Sequence, residues 1–222
     1  MLLDRLIKAY RRYRIQKIGK QIVDAQAANN WRLSSKLEID RALIPLFSVP
    51  IDLSFLLSID ERIKPVLDWL KRFNIQVRVT APGMLWDNFG QYGCYSYDGE
   101  RQVILIDPFE KNVEDKYEFL DSLLHETIHS TAPHVGRGEL PPPTDVLTFH
   151  KEELIAMEGS GLLGCRLGIK DIAKQKSAPD TIWQEALGQI LHTSPYSAEI
   201  RSAVTDGFYQ ARKAVEFVLS TN

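Results

Sequence analysis

Cysteine is scarce in this chain of 222 residues: there are two, Cys94 and Cys165, in neither a CxxC nor a CxxH arrangement. That excludes a disulfide framework and a thiolate metal site, and it fits a reducing, cytoplasmic setting. Long apolar runs are missing as well. The longest, Leu43 to Leu57, is interrupted by Pro45, Pro50 and Asp52, short of the roughly 18 apolar residues that cross a bilayer. Charge bias is absent too, with 27 basic against 29 acidic residues and a net charge of -2, so the total gives no reason to expect nucleic acid. No internal repeat or low-complexity tract occurs, which excludes solenoids and collagen-like chains. What remains is ordinary globular composition, 44% hydrophobic and 25% charged. A chain of this size buries a core without metal support, so any metal ligands in it need a catalytic rationale before a structural one.

The near-neutral total hides a basic start. Arg5, Lys8, Arg11, Arg12, Arg14, Lys17 and Lys20 stand against Asp4, while Leu2, Leu3, Leu6, Ile7 and Tyr10 share one helical stripe. Such a basic amphipathic helix docks by its stripe and solvates its cations, or else makes weak contact with nucleic acid or an anionic membrane through residues 1–20. It lacks the apolar centre and cleavage site of a secretory signal.

Periodicity along the chain predicts an α+β, mainly helical protein with a small β-sheet. Helix runs through Ile15 to Leu37, and Pro45 and Pro50 punctuate an apolar connection before a helix over 60–73. A boundary near residue 55 separates a helical N-terminal extension, 1–55, from a compact domain, 56–222. Strands are expected at Ile75 to Thr80, Tyr92 to Tyr97 and Arg101 to Ile106, the last two forming a hairpin around Asp98-Gly99. Helices follow at 117–130, 149–167, 181–192 and 198–219. Trp31, Trp69, Trp86 and Trp183 read as core or interface anchors.

One motif carries chemistry: His125-Glu126-Thr127-Ile128-His129, an H-E-x-x-H sequence. Residues four apart lie one above the other on a helix, so both imidazoles reach one ion, and the glutamate beside the first is aimed at the water that ion activates. Phe119, Leu120, Leu123, Leu124 and Ile128 supply the apolar positions that bury such a helix. A catalytic zinc takes three protein ligands, so a third is required. The elongated motif would need Gly at 132 and His at 135, but the chain has Ala132 and Val135, and Pro133 ends the helix. His134 is out of register and reads as a loop histidine. The third ligand is sought on the next helix, where Glu153 shares a stripe with Ala156, Ser160 and Gly164. Those small side chains permit close approach of the two helices, which makes Glu153 the preferred ligand. Glu152, about 100° round the helix, is the second choice.

The segments Ile106-Asp107-Pro108-Phe109, Leu124 to Thr131 and Phe149 to Ala156 together resemble the zincin-like metallopeptidase domain of ArdC-type antirestriction proteins and of phage and plasmid polyvalent proteins. Trp183 and the stretch Ala211 to Leu219 resemble the family's closing helices. The likeness spans about Ile75 to Leu219 and is strongest in the two short motifs. Where the family has Trp-Thr-Gly after the second histidine, this chain has Ser130-Thr131-Ala132, and Met157 stands at the place of a family acid. The single-stranded-DNA-binding domain that precedes the peptidase in that family has no counterpart in residues 1–70, so antirestriction is not implied.

The resemblance implies a zinc-dependent peptidase in which His125, His129 and Glu153 hold Zn²⁺ and Glu126 is the general base. The substrate is a peptide or protein adding along the strand Arg101 to Ile106 as a sheet edge. His150, Tyr196 and Tyr209 are candidates for a donor to the developing oxyanion. The alternative is a weak or inactive zincin scaffold that acts as a binding module at a nucleic-acid or membrane surface, to which the loss of the acid at Met157 points.

Overall fold

The computed structural model describes residues 2–28, 30–44, 47–81, 84–85, 93–108, 116–138, 146–169 and 197–220. The helix expected over 181–192, together with Trp86, Trp183 and Tyr196, lies outside them.

Asn30 divides the first helical stretch in two. Its side chain accepts a hydrogen bond from the Leu33 amide at 3.2 Å and caps α2 (Trp31–Ala42), so α1 (Leu2–Ala27) ends before it. Periodicity alone runs the helix on through Leu37, but a capped turn satisfies the amides at the second helix's start and wins locally. The connection punctuated by proline contains a short strand, β1 (Ser48–Pro50), and a helix, α3 (Leu53–Ile59), capped by Asp52 on the Ser54 amide at 2.9 Å. Pro50 is tolerated because β1 is an edge strand. A 3-10 turn (Glu61–Ile63) leads into α4 (Lys64–Arg72), and Asn74, at φ 52°, makes the left-handed step into β2 (Ile75–Thr80).

The hairpin at Asp98-Gly99 forms as expected, joining β3 (Gly93–Tyr97) to β4 (Gln102–Ile106). Gly99 sits at φ 97°, and Asp98 Oδ1 accepts from the Glu100 and Arg101 amides at 3.1 and 2.7 Å. Sheet order is β1-β2-β4-β3, with β2 and β4 parallel and the outer pairs antiparallel. β4 is therefore interior. This corrects the expectation that Arg101 to Ile106 is the edge, because β2 occupies the side of β4 that β3 leaves free.

Alternation along β4 sends Ile104 and Ile106 to one face and Val103 and Leu105 to the other, and all four are buried. The first pair packs with α4, α5 (Lys116–Ser130), α6 (Val146–Arg166) and α7 (Ser197–Leu219). The second pair is covered by Ile18 and Ile22 of α1, Ile39 of α2, and Phe47. Residues 1–55 thus supply one strand of the sheet and the layer over one of its faces. The protein is α+β and mainly helical, and no helix among the described residues is long and apolar enough to cross a membrane.

Arg78 ties β2 to the preceding layer. Although buried, it donates to Ala42 O at 3.0 Å, Ser48 Oγ at 2.8 Å, Ser48 O at 2.9 Å and Gln76 Oε1 at 3.0 Å. Replacing it by methionine takes the side-chain donor from the buried Ser48 carbonyl, at about 1 to 3 kcal/mol, and one of two donors from Ala42 O, which keeps Ser48 Oγ. Arg78→Met should therefore lower the melting temperature by about 6–12 °C, the equivalent of about 3 kcal/mol for a chain of this size. A drop of about 2 °C or less in a thermal melt would show that the clamp carries no such weight.

Candidate metal centre

α5 forms because Phe119, Leu120, Leu123, Leu124 and Ile128 make one buried face against the sheet and neighbouring helices. Its end is closed by its own side chains: Ser130 Oγ donates to Thr127 O at 2.6 Å and Thr131 Oγ1 to Ile128 O at 2.7 Å. Trp69 Nε1 in turn donates to Ser130 Oγ at 3.1 Å, and a 3-10 turn containing Pro133 follows the helix. His134, expected in a loop, ends that turn with its ring against Phe73, centroids 4.1 Å apart, and is not in the group of possible metal ligands.

His125, His129 and Glu153 converge, their ligand atoms lying within 4.8 Å of one another. The two Nε2 atoms are 3.1 Å apart. Glu153 reaches both, Oε2 lying 3.5 Å from His125 Nε2 and Oε1 3.5 Å from His129 Nε2. Ligand atoms of a four-coordinate zinc with bonds near 2.0–2.1 Å are about 3.3 Å apart, close to the separation of the two Nε2 atoms, and the Glu153 carboxylate turns one oxygen toward each of them. α6 brings Glu153 this close because Gly159 lets it lie against α5. A Cβ there would be 2.8 Å from Ile128 Cγ2. The expected small residues Ala156 and Ser160 are buried beside it.

Glu152 has a different place. Its Oε1 lies 3.2 Å from His129 Nδ1, on the side of the ring away from Glu153, and Arg137 donates to both of its oxygens at 2.9 and 3.0 Å. The two adjacent glutamates thus address opposite nitrogens of one imidazole. Burial lowers the His129 imidazole, but the hydrogen bonds to Glu152 and Glu153 and the charges of Glu153 and Glu126 outweigh it, raising the group to about 10. Burial raises Glu153, yet its bonds to His125 and His129 and their charge hold it well below the usual carboxylate range.

Glu126 is buried beside the cluster, and that burial raises its carboxyl above the usual range despite the opposing charges of His125 and His129. The Tyr95 amide of β3 hydrogen-bonds it. Gly93, on the same strand, gives it room: a Cβ at Gly93 would sit 2.7 Å from Oε1 and 2.9 Å from Cγ of Glu126. Gly93→Ala should therefore push the Glu126 carboxylate or the strand aside, at about 1 to 3 kcal/mol, read as a fall of about 2–12 °C in a thermal melt. An unchanged melting temperature would show the contact to be relieved harmlessly.

Tyr209 is 65% exposed on α7, His150 is half-buried next to Phe149, and Tyr196 lies outside the described residues. Met157 is half-buried on α6. Sequence reasoning missed Arg137 and Gly93, although an arginine between two glycines and a glycine opening a strand were visible cues. Comparison with protein-family models, curated proteins and solved structures returns no match for this chain.

Proposed function

We propose that this chain is a zinc-dependent metallopeptidase of the zincin type. The observation that carries the reading is the convergence of His125, His129 and Glu153 with the Glu126 carboxylate buried beside them. The donor set fits the ion: two imidazoles, which bind in their neutral form and give up a proton to do so, and a carboxylate, the combination of catalytic zinc sites with one open position. When bound, the ion supplies Lewis acidity, making water acidic enough to attack near neutral pH and polarising a carbonyl. Glu126 takes the proton from the attacking water and returns it to the leaving amine. A carboxyl raised by burial suits both steps, because its affinity for a proton lies closer to that of the groups it exchanges with. The sheet edge on this side is β3, whose Tyr95 amide already points to Glu126, so an extended peptide adding along β3 passes the carboxylate.

The test is hydrolysis of a mixed peptide library by zinc-loaded protein, abolished by a chelator and restored by zinc. Zinc-loaded protein that cleaves nothing in the library would favour the scaffold alternative.

α1 adds a partner to this reading. Ile18, Ile22 and Ala25 of α1 are buried, leaving Lys8, Arg12, Arg14, Lys17 and Lys20 exposed with Tyr10 and Tyr13, which are 62% and 58% exposed. Exposed cations interleaved with aromatic rings suit phosphates and bases better than membrane insertion. Binding to a labelled oligonucleotide should weaken with salt and vanish on deleting residues 2–20. Retention by the truncated protein would remove this partner.

A further inference from the structure

We propose that Arg137 is a positioning residue for the metal centre, acting through Glu152 to hold the His129 ring with Nε2 toward the ion. The inference rests on the metallopeptidase reading and concerns side chains outside the ligand motif. Arg137 reaches the centre from the loop that follows α5. Its flanking glycines, Gly136 and Gly138, have φ of 80° and 82°, and none of the described residues lies within 4 Å of a Cβ added to either. They serve a left-handed backbone and not a close approach. That backbone, with the Arg137 amide on Ala132 O at 3.1 Å, turns the side chain back toward the end of the helix. Nε and Nη2 grip Glu152 at 3.0 and 2.9 Å, and Nη2 also donates to Ile128 O at 2.9 Å. A carboxylate 3.2 Å from His129 Nδ1 keeps a proton on that nitrogen, so that Nε2 is the one a metal would take.

Two observations weigh against a staple that serves stability alone. The Arg137 and Glu152 side chains are only 6% and 8% exposed, and a buried ion pair adds little net stability because desolvation offsets the attraction. Arg137 Nη1 is also buried with no hydrogen-bond partner among the described residues, a cost that such a staple has no reason to carry. Orienting a ligand is a function that needs the planar fork at this place, which a lysine cannot supply.

The experiment measures zinc affinity by chelator competition for the wild type, Arg137→Met, Glu152→Gln and the double variant. The His129 Nδ1–H is followed by nitrogen-15 NMR in the zinc-loaded proteins. Each single variant should lose about 10- to 100-fold in affinity, with the Nδ1–H signal lost to exchange, and Arg137→Lys should restore only part. Because Arg137 acts through Glu152, the double variant should bind no more weakly than the worse single one. Losses that multiply, or Arg137→Met affinity within about threefold of wild type, would overturn the inference alone. Should Arg137→Met fail to fold, Arg137→Lys takes its place in the cycle. A wild-type chain that takes up no zinc would overturn the metal reading and this inference together, whereas one that binds zinc without cleaving peptides leaves the inference standing, since cleavage is not read.

Discussion

Glu126→Gln should bind zinc as tightly as the wild type and hydrolyse peptides at least about 100-fold more slowly, the lower end of what a general base contributes. Glutamine is the right replacement because it preserves what holds the residue in place. It has the same shape beside Gly93, where the space is measured against this side chain, and its amide oxygen still accepts from the Tyr95 amide. What it loses is the ability to take a proton. Glu126 is also not part of the ligand group, so zinc content separates loss of the base from loss of the ion. Burying a neutral amide where a carboxylate sat costs no charge desolvation, so the fold should be as stable as before or more so. The measurement is kcat together with bound zinc per chain. A variant that binds zinc and turns over within about threefold of the wild type would remove Glu126 from the chemistry. Equal inactivity of both forms would point to the scaffold reading.

How much of this was legible in the sequence depends on the distance over which each contact acts. The pairing of His125 with His129 is set by helix geometry alone, so four residues of spacing were enough to propose it. The strands at Ile75 to Thr80 and around Asp98-Gly99 are also local, and they form where alternation and the turn residues put them. Strand order is not local. That β4 is interior follows from Ile75 pairing with Gln102, which no pattern within either strand specifies. The choice between Glu152 and Glu153 had the same difficulty. Adjacent helix positions point about 100° apart, so the role of each is decided by how α6 crosses α5. That crossing is set at Gly159 against Ile128, a contact between two helices. Arg137 was missed for a related reason: its partner lies 15 residues away and is reached only because two left-handed glycines fold the loop back.

Adding zinc should raise the melting temperature of the wild type by about 5–11 °C when free zinc is 100 times its dissociation constant, and Glu153→Ala should remove nearly all of that rise. The figure follows from mass action: an ion that binds only the folded chain stabilises it by about 2.7 kcal/mol at that ratio, whatever its intrinsic affinity. For a chain of this size each kcal/mol is worth about 2–4 °C. Without Glu153 the ion keeps two imidazoles and loses the group that lies 3.5 Å from both. If the dissociation constant then rises about 100-fold, the same zinc concentration stabilises by only about 0.4 kcal/mol, a shift of about 1–2 °C. The comparison must be made within each protein, with and without zinc. Glu153 also neutralises His125 and His129 when no ion is present, so its removal changes the metal-free melting point for a separate reason. A chelator should return each protein to its own metal-free value. Equal shifts in the two proteins would mean that the stabilising ion sits away from Glu153, and no shift in the wild type at any zinc concentration would remove the metal centre altogether.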